Sequence, residues 1–210
     1  MHILIAVFVL PCYMATLGRG APLPGRGALV EDPQSQEMVK MSRDLIEKIL
    51  QAIPDTHTSC IHSQALQLNS TENAKLAMIA KTIGMPSVPV LKAVSESYTL
   101  ETCLKHMSEG LQLHRALLSS VTPRLENKDK VISLQADIRD LVIQVNKLLK
   151  KVQAEAVVQP SPTPVALSLP GDYEIQVAAH LTLVQLQAFG QDVVRCLRSL
   201  DQSNEEETES

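Results

Sequence analysis

Seven apolar residues, Val131, Leu134, Ile138, Leu141, Val145, Leu148 and Val152, recur at spacings that alternate between three and four without a miss. An α-helix places such positions on one stripe, and the unbroken alternation is what a helix needs to pack lengthwise on its neighbours. Lys147, Lys150 and Lys151 crowd the end of this segment, where cations complement the helix dipole. The chain therefore contains at least one bundle-type helix, and a bundle needs partners for it.

Three more segments carry the same period. In the first, Met38, Met41, Leu45 and Ile49 form a stripe that Val39, Ile46, Leu50 and Ile53 widen. Asp32 before Pro33 is its start signal, and Pro54 is its expected stop. In the second, Leu100, Cys103, Met107, Leu111, His114, Leu118 and Val121 step by threes and fours up to Thr122-Pro123. The last runs from about Asp172 to Leu200 through Leu183, Leu186, Gly190, Val193, Leu197 and Leu200. A shorter helix is expected from Glu72 to Ile83, ended by Gly84-Met85-Pro86. Between the third and fourth long segments, Gln159 to Gly171 holds four prolines and cannot be helical.

Composition agrees with helix-on-helix packing. Aromatic residues are 2% of the chain and Trp is absent, so the core must be aliphatic. The connections run long, short, long. A short link forces antiparallel neighbours, whereas a link able to cross the bundle permits parallel ones. The expected fold is all-α: an up-up-down-down long-chain four-helix bundle with long first and third connections.

Residues Ile3 to Leu17 are almost wholly apolar and are followed by Gly18, Arg19, Gly20 and Ala21. This run is short for a membrane span and lies at the N-terminus, so it reads as a secretory signal. The expected division is 1–20 signal peptide, 21–33 flexible leader, 34–201 four-helix domain and 202–210 acidic tail. The protein is expected to be secreted and extracellular, without membrane insertion. Export makes the cysteines candidates for bridging. With Cys12 in the signal, Cys60, Cys103 and Cys196 remain, enough for one internal disulfide with one thiol left free or paired between chains. Cys60 with Cys103 is the expected pair and Cys60 with Cys196 its competitor. Asn69-Ser70-Thr71 matches the N-glycosylation acceptor pattern.

No catalytic constellation is present. The sequence has no nucleophile elbow, phosphate-cradling glycine loop or His-Glu-x-x-His helix, and no Glu-x-x-His repeats of the kind di-metal bundles use. His57 and His62 are placed in a loop, His106 and His114 on the second long helix and His180 on the fourth; His114 lies on the apolar stripe and reads as a packing residue. No enzymatic activity, metal or cofactor is expected. A formal net charge of −4 and the scarcity of aromatics argue against a nucleic-acid partner. What remains is a surface. Asp137 and Asp140 on the third long helix, and Lys40, Asp44 and Glu47 on the first, are expected on exposed faces beside the core seam. The plain alternative is a solubilising helix surface.

Specific blocks narrow the choice. Cys103, Gly110-Leu111 and Leu118 resemble the second half of a signature shared by the interleukin-six, granulocyte colony-stimulating factor and myelomonocytic growth factor family. His114 stands where that signature has an aromatic residue, and Ala93 where it has an earlier cysteine. Ile83-Gly84-Met85-Pro86 with Pro89, Leu134-Gln135-Ala136-Asp137-Ile138-Arg139-Asp140, and Leu186-Gln187-Ala188-Phe189 with Arg195-Cys196-Leu197-Arg198-Ser199-Leu200 resemble the granulocyte-factor branch of that family, in the right order. The first long helix resembles the family only loosely.

The resemblance implies a long-chain cytokine, monomeric when free, that clusters a class I cytokine receptor and drives granulocyte-lineage proliferation and differentiation through JAK/STAT signalling. It implies that acidic residues on the first and third helices meet the receptor. The matching positions are Asp137 and Asp140, and less closely Asp44; Glu72 is the candidate for a second contact. Family members usually have two disulfides, and this chain has cysteines for only one. An interleukin-six-type cytokine acting through a gp130-type receptor, a secreted helical lipid carrier, and an intracellular adaptor that keeps its N-terminal segment are the competing readings.

Overall fold

Asp32 is extended and turns its carboxylate back onto the Gln34 N–H at 3.2 Å, with Pro33 in the first helical turn. The computed structural model describes residues 32–95, 97–153 and 165–201, and among these that cap starts the first of five α-helices. They are α1 (Pro33–Cys60), α2 (Ala77–Ile83), α3 (Leu100–Val121), α4 (Asp129–Val152) and α5 (Asp172–Arg198); 3-10 turns cover Thr71–Leu76 and Thr122–Arg124. The expected signal peptide with Cys12, the leader up to residue 31 and the acidic tail lie outside the described residues. Thr99 caps α3 through the Thr102 N–H, and Gly84 closes α2 in the left-handed conformation, with φ of 79°.

Pro54 does not end the first helix. α1 continues through it to Cys60. Proline withholds the N–H that the Leu50 carbonyl would otherwise receive, but the turn beyond it is held by tertiary contacts. Thr56 and His57 are buried, and the Thr56 hydroxyl donates to the Ala52 carbonyl at 2.8 Å. His57 is thus on a helix and not in a loop.

The four long helices enclose one aliphatic core, in which α4 and α5 each pack against both α1 and α3. Ile46, Ile49 and Ile53 of α1 and Leu104, Met107, Leu111 and Leu118 of α3 are all fully buried in it. Burial of each such side chain contributes about 1.5–3 kcal/mol. The α4 seam from Val131 to Leu148 is buried as its spacing requires. Polar contacts fix how the helices sit lengthwise. Arg43 pairs with Asp201 and Gln36 donates to the Leu200 carbonyl, so the start of α1 lies beside the end of α5. Lys151 pairs with Asp32, and Lys130 with Asp55 at 3.5 Å, so α4 ends where α1 begins. Between α3 and α4, Ser108 donates to Asn146 at 2.7 Å and Ser119 to Gln135 at 2.8 Å.

The expected Cys60–Cys103 bridge is not formed. Cys103 in the first turn of α3 is bonded to Cys196 near the end of α5, and Cys60 is a buried free thiol. Topology explains the outcome. Cys60 closes α1 beside His180, whereas Cys103 faces Cys196, and the sixteen residues of α5 between those levels span about 24 Å. Burial pushes the Cys60 thiol up to about 11, keeping it protonated and unreactive.

Candidate functional site

On the α1–α4 side, the Lys48 ammonium reaches Asp137 Oδ1 at 2.6 Å. Asp137 is only 8% exposed, so it does not share an open face with Asp140 as expected. It fastens α4 to α1. A carboxylate beside a bundle seam can be drawn into the neighbouring helix when that helix offers a long cation at the same level, a relation between helices that spacing along one helix does not reveal. Asp140 is half-exposed and accepts from the Arg139 guanidinium at 2.9 and 3.0 Å. Lys40 and Asp44 are exposed, and Glu47 is half-buried.

The ion pairs Lys48–Asp137, Lys130–Asp55 and Lys151–Asp32 set a register between the two helices. In that register Met41 stands level with Gln144, and Asp44 with Asp140 and Leu141. Large apolar side chains accompany these charges: Met41, Ile132 and Ile143 are 36%, 49% and 46% exposed. Ile132 and Ile143 are eleven residues apart, about three helical turns, and therefore share the outer stripe of α4. Exposed apolar side chains and exposed carboxylates on the same two helices are the two ingredients of a protein-contact surface, since apolar anchors supply affinity and rim charges supply orientation.

At the far end of α1 lies a chain of three polar residues, two of them buried histidines, missed by the sequence reading. Asn73 donates its amide to the carbonyls of Leu68 at 3.0 Å and Gln67 at 3.3 Å, which turns its oxygen towards His180. His180 Nε2–H donates to that oxygen at 2.9 Å, leaving Nδ1 to accept from His57 Nε2–H, also at 2.9 Å. Both imidazoles are neutral in this arrangement. Burial lowers the His57 pKa; burial, and then the neighbouring His57, lower that of His180 to about 4. The signal was available: Ile49, Ile53, His57 and Cys60 continue the α1 stripe at spacings of four, four and three, and taking Pro54 as a terminator concealed it.

His114 is a packing residue, as its place on the stripe implies. It is fully buried, its ring lies against Phe189 with centroids 5.3 Å apart, and Nδ1–H donates to the Gly110 carbonyl at 2.7 Å. Burial lowers its pKa to about 4. Gly110 is required beside it, because a Cβ there would stand 2.2 Å from the Phe189 ring. Gly110 and His114 therefore act together, one making room for Phe189 and the other covering it.

Of the remaining expected positions, Glu72 lies in the Thr71–Leu76 turn and Asn69 is exposed just before it. A surface cavity of about 260 Å³ opens between Leu91, Lys92, Val94, Arg195, Cys196 and Leu200. Among the described residues no group of His, Cys, Asp and Glu side chains could hold a metal ion, and no helix is long and apolar enough to cross a membrane. No family model and no curated protein matches the chain.

Proposed function

We propose that this protein is a secreted cytokine of the interleukin-six, granulocyte colony-stimulating factor and myelomonocytic growth factor type. It acts as a free monomer that binds and clusters a class I cytokine receptor resembling the granulocyte-factor receptor, driving granulocyte-lineage proliferation and differentiation through JAK/STAT signalling. The observation that carries the reading is the outer surface of α1 and α4, on which Lys40 and Asp44 are exposed, Asp140 is half-exposed, and Met41, Ile132 and Ile143 also reach solvent. Asp137 contributes by holding α1 and α4 together through Lys48, with Glu47 at the edge.

Two further features support it. The lengthwise contacts of the four long helices suit an up-up-down-down course, with the chain crossing the bundle between α1 and α3 and again between α4 and α5. The Cys103–Cys196 bridge suits an oxidising compartment. The lipid-carrier alternative finds less support: the cavity beside Cys196, about 260 Å³ and open to the surface, is below the usual range for an enclosed ligand site.

The test is binding of the mature protein to the ectodomain of a granulocyte-factor-type receptor, comparing wild type with Asp44→Ala/Asp140→Ala. Both residues are outside the core, so the variant should keep its fold. A tenfold or greater loss, about 1.4 kcal/mol, is expected. Tight binding that the double substitution leaves unchanged would reject the α1–α4 face. A folded wild type that binds only a gp130-type receptor would move the protein to the other branch, and one that binds neither but co-purifies with lipid would make it a carrier.

A further inference from the structure

We propose that Asn69 carries an N-linked glycan, and that this glycan reserves the end of the bundle around the Thr71–Leu76 turn from receptor contact. The proposal rests on the secretory reading above. Two asparagines lie within four residues of each other in the first long connection, and the fold treats them oppositely. Asn73 is turned inward: its amide is spent on Leu68 and Gln67 and its oxygen on His180. It also lacks a hydroxyl residue two positions on, where Lys75 stands. Asn69 is exposed, and Thr71 two positions on is exposed as well. The turn between them is tied by backbone bonds, Ser70 N–H to the Gln67 carbonyl at 3.1 Å and Asn73 N–H to the Ser70 carbonyl at 3.2 Å. The inward anchor thus fixes a loop that holds the acceptor at the surface. No other Asn-x-Ser/Thr triplet occurs in the sequence.

The donor is an oligosaccharide linked to a lipid pyrophosphate, supplied with its transferase by the secretory pathway. The Asn69 amide nitrogen forms a bond to the sugar's C1 as the bond from C1 to the phosphate oxygen breaks. The lipid pyrophosphate leaves with that electron pair, and the amide proton passes to a base on the transferase. A sugar at this point adjoins the end of α1 and the start of α5, three residues from Glu72. Asp44 is thirteen residues from His57 along α1, about 20 Å, so the α1–α4 face stays open. With that glycan in place, Glu72 is expected to make no receptor contact.

The full chain is expressed in cultured animal cells and the medium analysed by intact mass. The expected product is secreted, heavier than its polypeptide by a glycan that peptide-N-glycosidase removes. The extra mass disappears in Asn69→Gln and Thr71→Ala and persists in Thr71→Ser, and Glu72→Ala leaves receptor affinity within twofold. A secreted chain at bare polypeptide mass overturns the glycan while leaving the secretory reading intact. A chain kept in the cytosol with residues 1–20 attached overturns both. A glycosylated chain whose binding falls tenfold with Glu72→Ala overturns the reservation of that end.

Discussion

Three buried histidines, His57, His114 and His180, give this fold an acid sensitivity that can be signed residue by residue. Each has a folded pKa below its ordinary 6.5, about 4 for His114 and His180, because burial disfavours the imidazolium. The unfolded chain therefore takes up protons first as the pH falls. Stability is full above 6.5, declines between 6.5 and about 4, and levels off below. For fully buried His114 the loss is about 3 kcal/mol. Asp32 acts in a separate, lower window. The Lys151 ammonium and the Ser35 hydroxyl hold its pKa near 2, so its contribution is present above 3.8 and fades as the pH falls through 2. Denaturant midpoints measured at pH 7, 5.5 and 4 should fall steadily for wild type. His114→Phe keeps a ring against Phe189 without a titrating group, so its midpoint should fall less. An equal fall in both proteins would remove His114 from this account.

At the scale of elements, the outcome turned on whether a helix was specified by its own period or by its neighbours. α3 and α4 were legible because an apolar stripe runs along each without a break and Thr122-Pro123 closes α3. α1 was read too short because the local signal at Pro54 was weighed above the stripe running on through His57 and Cys60. Tertiary burial of that last turn exceeds the cost of one missing hydrogen bond. The candidate face was legible in part. Lys40, Asp44 and Asp140 are accessible as spacing implied, but the pairing of Asp137 with Lys48 depends on helix register, which no single-helix pattern contains. A consequence follows for Pro54, which is exposed and leaves the Leu50 carbonyl without its helical donor. Pro54→Ala should stabilise the protein by about 1 kcal/mol, since it restores that bond and disturbs no packing. Thermal unfolding read by circular dichroism would show it. A lower midpoint would mean that the interruption is needed to bring His57 to His180.

For the whole molecule, the bridge between Cys103 and Cys196 matters most, because it joins residues 93 apart and fastens the start of α3 to the end of α5. The sequence supplied three cysteines beyond Cys12 but not their pairing, since partner choice depends on which helix ends meet. In the chain-entropy account a closed loop of that length removes unfolded-state freedom worth about 4–5 kcal/mol at 25 °C. Its loss should therefore threaten the fold far more than loss of the buried Cys60 thiol. Alkylation of the denatured, unreduced mature protein should label Cys60 alone, and digestion should yield a single cross-linked peptide pair containing Cys103 and Cys196. Cys60→Ser should retain that pair and most of the stability, whereas Cys103→Ser/Cys196→Ser should lower it by several kcal/mol in denaturant. A label on Cys196 with Cys60 joined to Cys103 would instead require the ends of α1 and α3 to approach. The lengthwise contacts of α1 and α3 with α4 and α5 would then have to be redrawn, and with them the α1–α4 surface proposed to meet a receptor.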